Sequence, residues 1–230
     1  RMGKPYIKLF REERELIVML LVDISASGQF GTVKKLKKEV AAEVAALLAY
    51  TAIRNNDKVG LILFSDHVEK YVPPKKARGH GWRVIREILS FEPQGRKTDI
   101  AQALDYLGRV VRKRCICFLL SDFLASGFEK PLRLSNKRHD MVAVSISDPR
   151  EFELPKVGFV ELEDAETGED VLLDTNDRMF CKRYEEIRRQ EQEDLQRLFR
   201  SMDLDSVSLS THVSYTEPLL AFFRRREKRL

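Results

Sequence analysis

Cysteine and histidine are scarce in this chain, with three and four in 230 residues, and their spacing excludes as much as their number. Cys115 and Cys117 sit two apart in an apolar run, where strand geometry turns both to one face of a sheet, and Cys181 stands alone in a polar stretch. This odd count is neither a disulfide framework nor a zinc pattern, and it suits a reducing, cytoplasmic compartment. His67 and His80 fall in or near polar loops without a ligand-spaced companion, and His139, just before an apolar run, is expected at the surface. His212 lies near Ser208 and Ser210, but no nucleophile elbow or matching acid accompanies it, which argues against a serine hydrolase. The longest apolar run is residues 16–22, ended by Asp23, whereas a spanning helix needs about 18 such residues. No charged segment followed by an apolar stretch and a cleavage site opens the chain. Arg1-Met2-Gly3 reads as the start of an internal fragment. A phosphate loop is missing too: Gly28-Gln29-Phe30-Gly31 lacks the lysine and hydroxyl at the required spacing and reads as a flexible rim.

What is present is an ordinary globular composition, 43% hydrophobic and 33% charged, with 41 basic and 36 acidic residues giving a net charge of +5. The charges are interspersed except for the tail 224–229, expected to be a solvated helix end without specific nucleic-acid binding. Continuous apolar runs at 16–22, 59–64, 115–120 and 141–146, with a shorter one at 207–209, read as strands buried on both faces. Helical periodicity fills 33–54, 82–91, 99–112, 128–137, 178–202 and 216–226. Residues 67–72 read as an edge strand closed by Pro73-Pro74, and 157–174 as a hairpin insertion. The alternation predicts an α/β fold: a doubly wound, mostly parallel central sheet with helices on both faces and one antiparallel edge strand. Residues 1–15 are read as a lead-in and 16–230 as one domain. Trp82 is expected in the core or a pocket wall, and the lysines within 34–38 are expected to solvate their helix.

In open α/β sheets, sites form beyond the carboxyl ends of the strands. The first strand ends in Asp23-Ile24-Ser25-Ala26-Ser27, the third in Ser121-Asp122, and Thr98 with Asp99 precedes a helix. Hydroxyls and carboxylates without histidine or cysteine suit a hard cation of the magnesium or manganese type. On spacing alone the hydroxyls serve equally well as helix caps and loop residues, and Asp99 is read as a cap.

These residues resemble a known pattern. Asp23-x-Ser25-x-Ser27 after an apolar strand, Thr98 before a helix and Asp122 at another strand end fill all five positions of the metal-ion-dependent adhesion site of von Willebrand factor A domains and integrin inserted domains. More narrowly, PYIKLFREEREL at 5–16, NNDKVG at 55–60, PPKK at 73–76, SDF at 121–123 and DPRE at 148–151 are similar to the A-domain half of the bacterial "domain of unknown function 58" family. The resemblance implies a von Willebrand factor A-like, Rossmann-like domain with Ser25, Ser27 and Thr98 as direct ligands of Mg2+ or Mn2+, with Ca2+ as a further option. Asp23 and Asp122 would act through water or complete the shell. It implies a protein partner that offers an acidic side chain to the metal, and joint action with an AAA+ ATPase of the MoxR type. The expected function is binding, not catalysis. The competing reading is a magnesium-dependent phosphohydrolase using the same carboxylates, but such enzymes need a nucleophile or acid two residues after the first aspartate, where Ser25 stands.

Overall fold

The apolar run that opens the described chain forms the strand β1 (Ile17–Asp23), whose residues from Val18 onward are buried. A computed structural model describes residues 15–29, 35–163 and 170–228. After a short 3-10 turn at Ala26–Gln29 come α1 (Lys37–Arg54), β2 (Lys58–Phe64), β3 (Val68–Lys75), α2 (Arg78–Ser90) and α3 (Ile100–Val110). The chain continues with β4 (Ile116–Ser121), α4 (Glu129–Arg138), β5 (Asp140–Ser147) and a 3-10 turn at Pro149–Glu151. Then follow β6 (Phe159–Glu163), β7 (Asp170–Asp174), α5 (Arg178–Ser201), β8 (Asp205–Ser210) and α6 (Thr216–Glu227).

Six strands form one sheet in the order β3-β2-β1-β4-β5-β8. All neighbours run parallel except β3, which is antiparallel to β2 at the edge. The alternation in β1 explains why both faces must be covered. Val18, Leu20 and Val22 join a cluster with Val44, Leu48 and Val84 from α1 and α2, onto which Leu219 and Phe222 of α6 also pack. Met19 and Leu21 join the opposite cluster with Leu104, Leu132 and Phe199 from α3, α4 and α5. Each fully buried leucine contributes about 1.5–3 kcal/mol, so a strand apolar on both faces is stable only between two helical layers. This is the predicted doubly wound α/β fold. The segment 157–174 supplies the expected hairpin, β6 against β7, as a separate two-stranded sheet. Its tip at 164–169 lies outside the described residues.

Several local expectations change. The edge strand β3 runs through Pro73 and Pro74 to Lys75. The pairing with β2 shifts register between Val59 and Leu61, opposite this dipeptide, so the missing amide donors fall at an irregularity of an edge strand. Helix α2 begins at Arg78, four residues before the predicted start at Trp82. The reason is close packing: a Cβ on Gly81 would lie 2.2 Å from the Ile53 side chain of α1. Trp82 itself is exposed and leans on Tyr50, with ring centroids 6.3 Å apart. Cys115 and Cys117 are buried on one face as expected, and burial raises both thiol pKa values, that of Cys115 to about 12. Cys181 is buried as well, its thiol directed at the Thr175 carbonyl 3.4 Å away.

His139, expected at the surface, is only 1% exposed at the α4–β5 junction, with Nδ1 3.3 Å from Cys115 Sγ. Its Nε2 has no hydrogen-bond partner among the described residues. Burial, and then the charges of Arg138 and Arg114, hold its pKa below the usual histidine value. The unfolded chain therefore takes up a proton near pH ~6.5 that the folded state resists. The contribution of this imidazole to stability is lost as pH falls through that region. Urea midpoints measured from pH 7.5 to 5.0 should move downward in wild type relative to His139→Leu. Parallel curves for the two proteins would exclude the imidazole as the cause.

Candidate metal centre

The strand order reverses between β1 and β4, and there the carboxyl ends of two parallel strands leave a crevice. Asp23, the last residue of β1, stands in it with 9% exposure. Its Oδ1 accepts the Ser25 amide at 3.0 Å and its Oδ2 accepts the Ser121 hydroxyl at 2.7 Å. Burial first, and then the charge of Asp122, raise its pKa to about 6, against the hydrogen bonds from Ser121 and Ser25.

Three hydroxyls gather beside it. Ser25 Oγ lies 3.0 Å from Ser27 Oγ and accepts a hydrogen bond from Thr98 Oγ1 at 2.8 Å. Ser25 and Ser27 are placed by the turn that leaves β1, and Thr98 by the loop before α3. The Ala26 amide joins these two segments by donating to the Arg96 carbonyl at 2.9 Å. The Thr98 loop is also tied to the edge of the sheet. The Asp99 amide donates to the Ser65 carbonyl at 2.8 Å, while the Glu69 carboxylate of β3 accepts the Gln94 and Gly95 amides at 2.8 and 3.1 Å. Gly95 is needed for this approach, since a Cβ there would lie 2.2 Å from Ser65 Oγ and 2.3 Å from Asp66 Oδ1. Asp99 is the α3 cap, accepting the Gln102 amide at 2.8 Å.

Asp122 follows β4 and is engaged from two sides. Its Oδ1 accepts the Leu124 amide at 3.2 Å, and its Oδ2 accepts Lys37 Nζ at 2.7 Å. Lys37 also donates to Glu151 Oε1 at 2.5 Å. The other Glu151 oxygen accepts the Asp148 amide at 2.9 Å, and Asp148 in turn receives the Thr211 hydroxyl at 2.6 Å. Lys37 was expected to solvate its helix but is buried at the first position of α1. Burial works against its charge, yet Asp122 and Glu151 outweigh it and hold the ammonium pKa above the usual lysine value. A space of about 20 Å³ remains, lined by Asp23, Ser27, Lys37, Ser121 and Asp122 among others. That is room for one water or one small ion. A larger cleft of about 320 Å³ opens beside it, lined in part by Asp122, Glu151, Phe152, Arg188 and Leu195.

All five residues singled out in the sequence therefore stand at one place, with Ser27 and Thr98 both in hydrogen-bond contact with Ser25. Among the described residues no group of three or more histidine, cysteine, aspartate or glutamate side chains is arranged to hold a metal. The donors present are chiefly hydroxyls backed by Asp23, a set whose hard oxygens fit a hard cation. Gly28 lines the space, while Gly31 and Lys34 lie outside the described residues. Three contributors escaped sequence reading: Lys37, Glu151 and Glu69. For Lys37 a signal existed, because it precedes Val44 and Leu48 by seven and eleven residues and so shares their buried helix face.

Fold and site define an α/β protein of the doubly wound type with its polar residues collected at the switch point. The chain belongs to the family described as "Protein of unknown function DUF58", which it matches over residues 1–194. The uncharacterized protein Rv1480 of Mycobacterium tuberculosis is 34% identical to it over 171 residues, covering 73% of this chain and 54% of the relative. The uncharacterized protein MAV169 of Mycobacterium avium is 38% identical over 100 residues, 42% of this chain and 59% of the relative. The chain thus spans somewhat more than half the length of these relatives. Among solved structures, the conserved hypothetical protein BatB from Bacteroides thetaiotaomicron superposes with a TM-score of 0.62 at 16% identity, over 92% of this chain and 98% of that one. An aerotolerance-related membrane protein from Bacteroides fragilis gives 0.60 at 16% identity, over 94% and 100%. At such identity the likeness is one of fold. No helix among the described residues is long and apolar enough to cross a membrane.

The Glu69 carboxylate is the test of how the Thr98 loop is held. Glu69→Ala leaves two amides without their acceptor, at an expected cost of about 1–2 kcal/mol. Hydrogen exchange should then speed up at Gln94 and Gly95 while the β1 amides stay protected. Unchanged protection at Gln94 and Gly95 would mean that other contacts hold the loop.

Proposed function

We propose that this chain is a metal-ion-dependent protein-interaction module whose cation is held at the ends of β1 and β4. The observation that carries this reading is the convergence of hydroxyls from two loops, Ser25 Oγ lying 3.0 Å from Ser27 Oγ and 2.8 Å from Thr98 Oγ1, beside the carboxylate of Asp23. Independent helix caps would not be drawn together in this way. The resemblance to von Willebrand factor A domains supports the same reading through the five filled positions and the order of elements along the chain. The three hydroxyls would hold Mg2+ or Mn2+, with Ca2+ also compatible, while Asp23 orients Ser25 and Asp122 adds charge. Bound there, the ion would supply an electrophilic position for a carboxylate of a partner protein. The partner we propose, from the family resemblance, is an AAA+ ATPase of the MoxR type, in a cytoplasmic setting that the three free thiols suit.

Catalysis is the second reading, and one observation favours it. Lys37, expected to solvate its helix, lies 2.7 Å from Asp122, and a magnesium-dependent phosphohydrolase would use such a residue. Against it, Asp23 is turned to the Ser25 amide and the Ser121 hydroxyl, Lys37 is clamped by two carboxylates, and Ser25 stands where a general acid would be needed. Binding without turnover remains our proposal.

Calorimetric titration with MnCl2 should give about one site per chain and no heat in an Asp23→Ala, Asp122→Ala variant. Saturation tenfold above Kd should stabilise the fold by about 1.4 kcal/mol, because the ion binds the native state only. Thr98→Ala should lose most of this stabilisation while its melting curve in EDTA stays cooperative. Full Mn2+ stabilisation in Thr98→Ala would remove the hydroxyl triad from the site. Magnesium-dependent hydrolysis of p-nitrophenyl phosphate that disappears in the Asp23 variant would overturn the binding reading.

A further inference from the structure

We propose that Lys37 is an internal counter-cation of this site, one that an arriving divalent ion must dislodge from Asp122, so that this side chain sets the metal affinity. The inference rests on Asp122 being part of a cation site. Lys37 Nζ is 2.7 Å from Asp122 Oδ2 and 2.5 Å from Glu151 Oε1. The three side chains are only 4%, 6% and 11% exposed, so solvent screens this bridge poorly. The other Asp122 oxygen is committed to the Leu124 amide. The oxygen that the ammonium holds is therefore the one left to face a cation. Lys37 lines the same space of about 20 Å³ as Asp23, Ser27 and Asp122. A divalent ion that Asp122 helps to hold stands within a few ångströms of a like charge.

The arrangement contains its own way out for Lys37. Glu151 is fixed by the Asp148 amide at Oε2 and already receives Nζ at Oε1. On metal arrival the ammonium gives up Asp122 and keeps Glu151. Because Lys37 opens α1 and Glu151 closes the turn after β5, metal occupancy is felt by two elements that do not touch the ion. Lys37 stabilises the metal-free form more than the bound form. Linkage then requires that removing it tighten metal binding.

The test compares the whole chain with Lys37→Met and Lys37→Arg, using MnCl2 calorimetry and melting curves in EDTA. Lys37→Met should melt lower in EDTA, bind Mn2+ about tenfold more tightly, and recover its melting temperature when Mn2+ is added. Lys37→Arg keeps the positive charge and should bind no more tightly than wild type. Equal or weaker Mn2+ binding by folded Lys37→Met would overturn the proposal while leaving the metal site standing. Wild type that binds no Mn2+ would overturn the site reading, and this proposal with it. Should Lys37→Met fail to fold, Glu151→Gln decides: the ammonium then has Asp122 alone, so Mn2+ affinity should fall severalfold. Unchanged affinity would overturn the proposal.

Discussion

The parallel pairing of β1 with a strand on each side is the constraint on which the rest of the structure depends. Its alternate residues feed two separate apolar clusters, so helices must lie on both faces, and the chain must leave the sheet in opposite directions after β1 and after β4. The segment after β1 leads to α1 on one face, and the segment after β4 leads to α4 on the other. Where two such exits part, no backbone fills the gap, and the polar residues that stop each strand are left around it. The site is thus a consequence of how the core is covered.

Gathering strand-ending carboxylates in a half-dry crevice creates an electrostatic problem that the fold must answer. Burial first, and then the charge of Asp122, make Asp23 costly to ionise, which is visible in its elevated pKa. Hydrogen bonds from Ser25 and Ser121 relieve one aspartate, and the Lys37 ammonium relieves the other. An isolated buried charge would be strongly destabilising; a lysine shared between Asp122 and Glu151 is tolerated because each partner is further tied to a backbone amide. The same bridge fastens the start of α1 to the turn after β5, so local charge balance and the packing of two distant elements are one interaction.

The places where sequence reading failed share a physical cause. His139 carries polar atoms in polar surroundings along the chain, yet it is buried against Cys115, 24 residues earlier. Trp82 shows the converse: its size suggested a core position, but Gly81 beside it makes the helix contact and turns the indole outward onto Tyr50. Pro73 and Pro74 do not end β3, because an edge strand can set missing donors at a register shift. In each case local pattern indicated what a residue prefers, and packing against a remote element decided where it went.

The sequence by itself determined the layered α/β architecture, since continuous apolar runs alternating with amphipathic helices have few other ways to bury their surface. It also determined the ends of β1 and β4 as the chemical edge, because Asp23 and Asp122 interrupt those runs. Tertiary structure alone decided what surrounds them. Lys37 meets Asp122 across 85 residues and Glu151 across 114, and Glu69 holds the Thr98 loop from a neighbouring strand. Periodicity places a lysine on the inner face of a helix but is silent on which anions wait there, for a long flexible side chain takes its direction from charges brought near it by folding.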